Sequence, residues 1–319
     1  MPEDPGLLEF ALAAARAAGA VLLEHFETDL AIATKSSDID LVTPADRAAE
    51  LAITSRITAA YPTHWILAEE SGRVRGDHDS SDPRPPPGVL QWVIDPLDGT
   101  TNFAHRFPHF SVSIALVDHH GPRIAVVHDP TRDETFFAQR DHGAFLDSPR
   151  TRARLRKPEQ LRVTTTRALR LALVATGFAY TRATSPTNNL LEFNRVIPQV
   201  RCIRRAGSAA LDLAYLAAGR LDAYWEYHLQ PWDIAAGALL VREAGGTLTR
   251  IDGGPWDLRH GDLVAAGPTL HPVLQAELAS ARLPHPSHLS HPSQPSPPSP
   301  LSPPSPLSHS TCPEGHAPR

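Results

Sequence analysis

Apolar side chains near the start of the chain recur at helical spacing. Between residues 7 and 26 they fall on one face, and the charged side chains Arg16 and Glu24 fall elsewhere. That face consists of Leu8, Leu12, Ala15 and Leu22. A second helix is predicted from Pro44 to about residue 60, because Thr43 is a suitable N-cap and proline is favoured at the first helical position.

The rest of the chain alternates between short apolar runs and helical patterns. The apolar runs, several of them rich in β-branched residues, predict strands at 65–68, 89–94, 112–117, 124–127, 135–138, 172–175 and 223–225. Residues 119–122 predict a hairpin turn between the third and fourth of these strands. Helical patterns at 186–197, 208–218 and 233–244 complete a mixed α/β fold.

The composition narrows the class of protein. The 319 residues are 41% hydrophobic, which is enough for a substantial core, and the net charge of −5 gives no general attraction to nucleic acid or anionic membranes. No apolar run reaches the ~18 residues of a membrane span, and two cysteines cannot build a disulfide framework. We expect a cytoplasmic protein in which Cys202 is a small core residue rather than a nucleophile.

Proline marks a boundary near the end of the chain. Of the 32 prolines, 12 lie in residues 284–319, where serine recurs at every third position from Ser287 to Ser308. A period of three is the polyproline II repeat, and such a segment has too few apolar side chains to offset its ordering entropy. We predict a catalytic domain over 1–283 and a disordered Pro/Ser/His-rich tail over 284–319.

Acidic side chains stand where predicted strands end or helices begin. They are Glu69 with Glu70, Asp95 with Asp98, and Asp233. Hard divalent cations prefer carboxylate and carbonyl oxygens, and the body of the chain has no Cys/His cluster spaced for zinc. The predicted ion is Mg²⁺.

The segment Asp95-Pro96-Leu97-Asp98-Gly99 combines a cation site with an anion site. Proline stiffens the turn, so both carboxylates and the intervening carbonyl can converge on one ion. Gly99 permits close backbone approach, and the amides of Gly99, Thr100 and Thr101 at a helix start can hold a phosphate group.

These residues resemble a known family. Trp92-Val-Ile-Asp-Pro-Leu-Asp-Gly-Thr-Thr-Asn-Phe103 is similar to the first signature of the inositol monophosphatase family, and Trp232-Asp-Ile-Ala-Ala-Gly237 is similar to the second. The resemblance continues through 35–46, 68–72, 207–212 and 243–246 and covers essentially 1–275. The tail and the proline-rich loop at 83–87 lie outside it.

The resemblance implies a fold and an activity. The fold is a layered αβαβα sandwich, shared with fructose-1,6-bisphosphatases and commonly dimeric. The activity is Mg²⁺-dependent, lithium-sensitive hydrolysis of a small polyol phosphate, and myo-inositol 1-phosphate is the favoured substrate. The alternatives are a histidinol-phosphate phosphatase with the same metal site, and an RNA- or transcription-complex-associated factor of the same family.

The resemblance also implies a role for individual residues. The implied ligands are Glu69, Asp95 and the Leu97 carbonyl for one Mg²⁺, and Asp95, Asp98 and Asp233 for a second. Thr100, polarised by Asp46, would orient the attacking water, and Glu69 completes the catalytic set. The implied substrate contacts are Asp98, Gly99, Thr100, Thr101, Arg205, Gly207, Ser208, Glu226 and Asp233. Lys35 falls on a mobile loop, and Glu226 suits neighbouring hydroxyls or an amine.

Three of these carboxylates have simpler interpretations. Asp46 follows Thr43 by three residues, which is also a capping pattern, and both roles can hold together. Asp233 could be only the N-cap of its helix. Glu69 and Glu70 are adjacent, so we expect them to point to opposite faces, and the resemblance alone favours Glu69.

A run of arginines has no counterpart in this chemistry. Arg150, Arg152, Arg154 and Arg156 alternate, which predicts one charged face on an extended edge strand. Such a face discourages aggregation, and contact with RNA or polyphosphate is the alternative function.

Overall fold

The structure is a computed structural model that describes residues 6–28, 33–35, 41–75 and 82–281, with only the backbone of 73–75. The predicted tail lies outside these residues, as does most of the loop around Lys35. The helices are α1 (Gly6–His25), α2 (Pro44–Ala60), α3 (Thr100–Ala104), α4 (Pro149–Leu155), α5 (Leu190–Val196), α6 (Ala209–Ala217), α7 (Pro231–Glu243) and α8 (His271–Ser280). The strands are β1 (Ala33–Thr34), β2 (Leu41–Val42), β3 (Trp65–Ala68), β4 (Gly72–Arg75), β5 (Gln91–Asp98), β6 (Ser111–Asp118), β7 (Gly121–Asp129), β8 (Glu134–Gln139), β9 (Gly143–Asp147), β10 (Glu159–Gln160), β11 (Leu173–Thr176), β12 (Cys202–Arg204), β13 (Ala223–Glu226), β14 (Thr247–Thr249) and β15 (Leu263–Ala266).

The strands of the described residues form two large sheets and one small pair. The eight-stranded sheet has the order β10-β9-β8-β7-β6-β5-β3-β4 and is antiparallel except for β3 beside β5. The five-stranded sheet has the order β12-β11-β13-β15-β14, with β11 parallel to both neighbours. β1 pairs with β2.

Alternating side chains place helices on both faces of each large sheet. In β5, Trp92 and Ile94 pack with α1 and α2, whereas Val93 packs into the cluster that contains α6 and α7. In β13, Tyr224 faces the α6–α7 cluster, and Trp225 packs with apolar residues of α5 and α8. The layers are therefore α1 and α2, the eight-stranded sheet, α6 and α7, the five-stranded sheet, and α5 and α8. This order is the predicted αβαβα sandwich.

The first helix is also long and apolar enough to cross a membrane, by length and composition alone. Its alanine-rich face is buried, and it packs against α2, β6 and β7. Gly19 lets the His128 ring approach, since an added Cβ would lie 2.5 Å from His128 Cδ2. Because a buried core helix passes the same test, this is weak support for a membrane span.

Most predicted elements are present with adjusted ends. α2 begins at Pro44 with Thr43 as its N-cap, and the predicted hairpin joins β6 to β7. β5 continues through Asp98 instead of ending before Asp95, and α5 begins at Leu190, four residues later than predicted. The hydrophobic pattern did not predict β9, β14, β15 or α8.

Two predictions about the fold, the arginine-bearing strand at 150–156 and the buried Cys202, are wrong. The arginines of 150–156 do not alternate along a strand, because Ser148 caps a helix, α4, that starts at Pro149. Within it Arg152 pairs with Asp133 and Asp147. Cys202 is exposed rather than in the core, because it lies on β12, an edge strand of the five-stranded sheet.

Candidate active site

One cavity of about 1000 Å³ brings almost all the predicted site residues together. They lie on its wall from both large sheets and from the starts of α3, α6 and α7. The predicted residues on the wall are Lys35, Glu69, Asp95, Leu97, Asp98, Gly99, Thr100, Thr101, Arg205, Gly207, Ser208, Glu226 and Asp233. Asp46 is fully buried behind Thr100.

The end of β5 shapes one side of this cavity. Its pairing with β6 is irregular between Asp95 and Asp98, and Asp95 Oδ1 accepts a hydrogen bond from the Leu97 amide at 3.0 Å. Gly99 follows with φ +100°, and an added Cβ there would lie 3.0 Å from the His109 carbonyl oxygen. The chain therefore needs glycine at the point where it turns into α3, whose first amides have no partner within the helix.

Asp46 makes the contacts that both interpretations of it require. Its Oδ2 accepts hydrogen bonds from the Thr43 amide and hydroxyl, at 2.8 and 2.7 Å, which completes a capping box at the start of α2. Its Oδ1 lies 3.0 Å from Thr100 Oγ1, which is also 3.0 Å from the Leu97 carbonyl oxygen. A hydroxyl that donates to Asp46 has lone pairs left to accept a hydrogen bond from a third group.

Four carboxyl groups on the wall have raised pKa values, because they are buried and, for Asp95 and Asp233, because other carboxylates lie nearby. Burial raises the pKa of Asp95 well above its ordinary value, and nearby Glu69, Asp98 and Asp233 add to the rise. Burial also raises the pKa of Asp233, with Glu69 next in effect. The pKa of Glu69 and that of Asp98 each rise to about 6, again through burial first.

Each of these carboxyl groups is held by protein donors in this structure. Asp98 Oδ2 accepts from Ser208 Oγ at 2.5 Å and from the Ala210 amide at 2.8 Å. Asp233 Oδ2 accepts from the Gln230 amide at 2.7 Å. Among the described residues no three His, Cys, Asp or Glu side chains are gathered as metal ligands.

The donor set nevertheless fits a hard divalent cation. It consists of buried carboxylates and the Leu97 carbonyl, which are the oxygen ligands that Mg²⁺ prefers. Closely spaced carboxylates in a buried site require positive charge to ionise together, and their raised pKa values reflect that need. The charge requirement and the ligand type thus agree.

Lys35 supplies positive charge at the edge of the cluster. Its Nζ donates to Glu69 Oε1 at 2.8 Å and also to Glu70 Oε1. Burial lowers the pKa of Lys35, but Glu69 and Glu70 outweigh it, so the net pKa is raised. The expectation that the two glutamates point to opposite faces is therefore wrong, because both lie in the turn after β3 rather than in the strand.

Asp233 is not an N-cap. Gln230 occupies that position, and Asp233 is the third residue of α7, where it closes a capping box onto the Gln230 amide. The turn before α7 therefore fixes Asp233 on the cavity wall.

The five-stranded sheet brings to the cavity an acid, Glu226, that the family resemblance assigned to the substrate. Glu226 ends β13, and Tyr224 OH donates to its Oε2 at 2.5 Å. Burial raises the pKa of Glu226 to about 7, against the Tyr224 hydrogen bond and the charge of Arg205. Gly177 makes room for this carboxylate, since an added Cβ would lie 2.0 Å from Glu226 Oε2.

Four contributors to the site were not predicted: Gly177, Tyr224, Asn102 and Asp212. Asp212 is 3% exposed, lines the cavity and has no hydrogen bond to its carboxylate among the described residues. Its helical spacing, four residues after Ser208, could have indicated it. No local pattern could have linked Gly177 to Glu226, because they are neighbours only through the pairing of β11 with β13.

Comparisons with known proteins agree with this geometry. The sequence model of the inositol monophosphatase family matches residues 5–286. The Escherichia coli (strain K12) protein named Nus factor SuhB is 43% identical over 278 residues, which cover 86% of this chain and 96% of that protein. A Synechocystis protein named inositol-1-monophosphatase is 43% identical over 273 residues, covering 86% of this chain and 88% of that protein.

Solved structures give the same result. An inositol monophosphatase from Anabaena is 39% identical with a TM-score of 0.72, covering 86% of this chain and 95% of that one. The extragenic suppressor protein suhB from Bartonella henselae is 36% identical with a TM-score of 0.74, covering 86% and 98%. The sequence match, the layered fold and the carboxylate-lined cavity point one way, and the chain belongs to the inositol monophosphatase family.

Proposed function

We propose that this chain is a Mg²⁺-dependent phosphomonoesterase that hydrolyses a small polyol phosphate, with myo-inositol 1-phosphate as the first candidate. The observation that carries the proposal is the contact between Thr100 and Asp46 beside a buried carboxyl cluster, within a cavity large enough for such a ligand. Membership of the family supports phosphatase activity at a general level. The choice of substrate is the part that needs experiment.

The proposed metal ligands follow the carboxylate wall. Glu69, Asp95 and the Leu97 carbonyl would hold one Mg²⁺, and Asp95, Asp98 and Asp233 would hold a second. Bound Mg²⁺ would supply positive charge that makes water more acidic and neutralises phosphoryl oxygens.

The protein groups around the ions would orient the reactants. Thr100 Oγ1, donating to Asp46, can accept a hydrogen bond from the attacking water and so fix its direction. The amides of residues 99–101 would bind phosphoryl oxygens. Arg205 and Glu226 would contact the polyol, whose hydroxyls can donate to the Glu226 oxygen that Tyr224 leaves free.

The test is Mg²⁺-dependent release of phosphate. We expect Asp95→Asn and Asp98→Asn to abolish it, because each replaces a ligand charge with a neutral amide. Asp222→Asn is the matched control, since Asp222 is a buried aspartate that accepts from Thr164 Oγ1 and the Leu173 amide, away from the cavity. Near-normal turnover in either folded site variant would refute the mechanism.

A substrate panel separates the enzymatic alternatives. It compares inositol 1-phosphate, histidinol phosphate, fructose 1,6-bisphosphate and adenosine 3′,5′-bisphosphate at equal concentration. Preference for inositol 1-phosphate supports the first candidate, and preference for histidinol phosphate supports the alternative in which Glu226 contacts an amine. Residues 176–182 and 226–230, on the cavity wall, are the segments expected to set this preference.

A second candidate function follows from the relatives named Nus factor SuhB. A role in a transcription complex would use a basic surface, and exposed arginines of α4 such as Arg150 and Arg154 supply one. Binding through phosphate contacts weakens steeply as salt rises, whereas hydrolysis of a compact monophosphate varies little. RNA binding that survives Arg150→Ala with Arg154→Ala would exclude this surface.

The proposal has three further parts. We infer a cytoplasmic homodimer whose phosphatase activity is inhibited by lithium. Sedimentation at micromolar concentration tests the dimer, and titration of the Mg²⁺-activated enzyme with LiCl tests inhibition. A monomer, or activity unchanged by lithium, would remove that part and leave the rest intact.

A further inference from the structure

Asn102 links three segments of the candidate site through one amide group. Its Nδ2 donates to the His109 carbonyl oxygen at 2.7 Å and to the Ala206 carbonyl oxygen at 2.9 Å, and lies 3.5 Å from the Gly207 carbonyl oxygen. An amide nitrogen carries two hydrogens, so the two short bonds use both. All three neighbours are acceptors, which fixes the orientation of the amide, because a flipped oxygen would face carbonyls.

One of these segments is the loop at 205–208, which carries the predicted substrate contacts. Its Gly207 has φ +90°, and an added Cβ would lie 3.2 Å from Asn102 Nδ2 and 2.7 Å from Arg205 Nη1. The Gly207 backbone therefore lies close to both the Asn102 amide and the Arg205 guanidinium. At the other end of the loop, Ser208 holds Asp98.

The second segment supports residues 99–101, the predicted phosphate cradle. The His109 carbonyl oxygen accepts a hydrogen bond from Asn102, and it would lie 3.0 Å from a Cβ added at Gly99. Asn102 itself belongs to α3, which begins in the cradle. One side chain thus joins the cradle, its support at His109 and the 205–208 loop.

We propose that Asn102 is a positioning residue that sets the distance between the phosphate cradle and the substrate-binding loop at 205–208. The inference rests on the proposed function and adds to it a residue that touches neither substrate nor metal. Its loss lets the loop, and with it Arg205, drift from the cradle. A substrate with a polyol half needs both regions at once, whereas an aryl phosphate without hydroxyls needs the cradle alone.

The test compares inositol 1-phosphate with p-nitrophenyl phosphate in Asn102→Asp. The variant keeps the shape of the side chain, removes both donors and sets a charged oxygen against three carbonyls. The loss of two such hydrogen bonds weakens affinity by about tenfold. We therefore expect KM for inositol 1-phosphate to rise about tenfold. For p-nitrophenyl phosphate we expect kcat and KM to stay within about threefold of the parent values, because the Gly99–Thr101 amides remain.

Two further variants separate positioning from stability. Asn102→Ala removes the donors without adding charge, and we expect the same selective rise in KM if Asn102→Asp does not fold. Asp222→Asn weakens comparable buried hydrogen bonds beside the five-stranded sheet. We expect no rise in KM for either substrate, even where this variant loses as much Tm as the Asn102 variants.

The outcomes distinguish this role from the proposed function. Equal effects on both substrates, no effect on either, or the same rise in Asp222→Asn would overturn the role of Asn102 while the active parent upholds the phosphatase. A parent chain that releases no phosphate from any monoester in the panel would overturn the proposed function, and this role with it.

Discussion

Gly177 offers a test of the substrate wall that does not alter any charged residue. A Cβ at Gly177 would lie 2.0 Å from Glu226 Oε2 and 2.2 Å from its Cδ and Oε1. Contacts under 3.0 Å to a Cβ are essentially never seen, so Gly177→Ala must push the carboxylate away by about 1 Å. A functional group must be held within about 0.5 Å of its productive position.

The displacement has a calculable effect on the substrate. It breaks the 2.5 Å bond from Tyr224 OH and removes the Glu226 oxygen from reach of a substrate hydroxyl. A hydrogen bond to a charged group is worth about 1.5–3 kcal/mol, and each 1.4 kcal/mol is about tenfold in affinity. We expect KM for inositol 1-phosphate to rise by about ten- to a hundredfold in Gly177→Ala.

The assay measures KM at pH 8, above the pKa of about 7 to which burial raises Glu226, so that the carboxylate is ionised. Gly254→Ala is the matched control. A Cβ there comes no nearer than 3.1 Å to Asp252 Oδ1 and is remote from the cavity wall. We expect its KM to equal the parent value.

A double-mutant cycle decides whether the effect passes through Glu226. Glu226→Ala removes the group that Gly177→Ala displaces, so the double variant should have the KM of Glu226→Ala within about twofold. Multiplicative effects would show that Gly177 acts by another route and would refute the steric argument.

Three other changes test other parts of the site and fold. Thr100→Val should lower kcat by at least about a hundredfold, because the hydroxyl that directs proton transfer is lost, whereas Thr100→Ser should retain most of it; equal kcat in both would contradict the role of the hydroxyl. Mg²⁺ at about 100 times its Kd should raise Tm by about 5 °C, measured by calorimetry, and Asp98→Asn should abolish the rise; an undiminished rise would place the ion elsewhere. Burial, and after it the charge of Arg16, lowers the pKa of His128. The folded chain therefore binds fewer protons than the unfolded chain, and its stability falls as the pH drops below about 6.5. Urea unfolding at pH 7.5 and 5.5 should show that His128→Asn reduces this loss by at most about 1.4 kcal/mol, and an unchanged loss would exclude His128 as a source.

Local patterns predicted the elements that carry several of the proposed metal ligands. Short apolar runs located β5 to β8, and the Thr43-Pro44 start located α2 and therefore Asp46. These features depend on neighbours in sequence, which is why a pattern can read them. The prediction failed at α4, where the alternating arginines indicated an extended strand. Ser148 and Pro149, the N-cap and first residue of the helix, were the local signal for α4.

The substrate end of the cavity depends on contacts between distant residues. Glu226 sits beside Gly177 because β11 and β13 are parallel neighbours, and Asn102 meets Ala206 across 104 residues. Neither pairing has a periodic signal. Arg205, Gly207, Ser208 and Glu226 were therefore assigned only through family resemblance, and neither Gly177 nor Asn102 was predicted to hold them in place.

The two ends of the cavity differ in how a substitution should be read. Beside the proposed metal ligands, Asp46 uses separate oxygens for the two roles that we propose for it, Oδ2 on the α2 cap and Oδ1 on Thr100. Its replacement therefore lowers stability and kcat together. At Glu226 and the 205–208 loop, we propose that Gly177 and Asn102 act by holding other residues in place, so their replacement should change KM while kcat on a simple aryl phosphate persists. A difference in the kinetic constant that responds, and not in the size of the effect, is what separates the two.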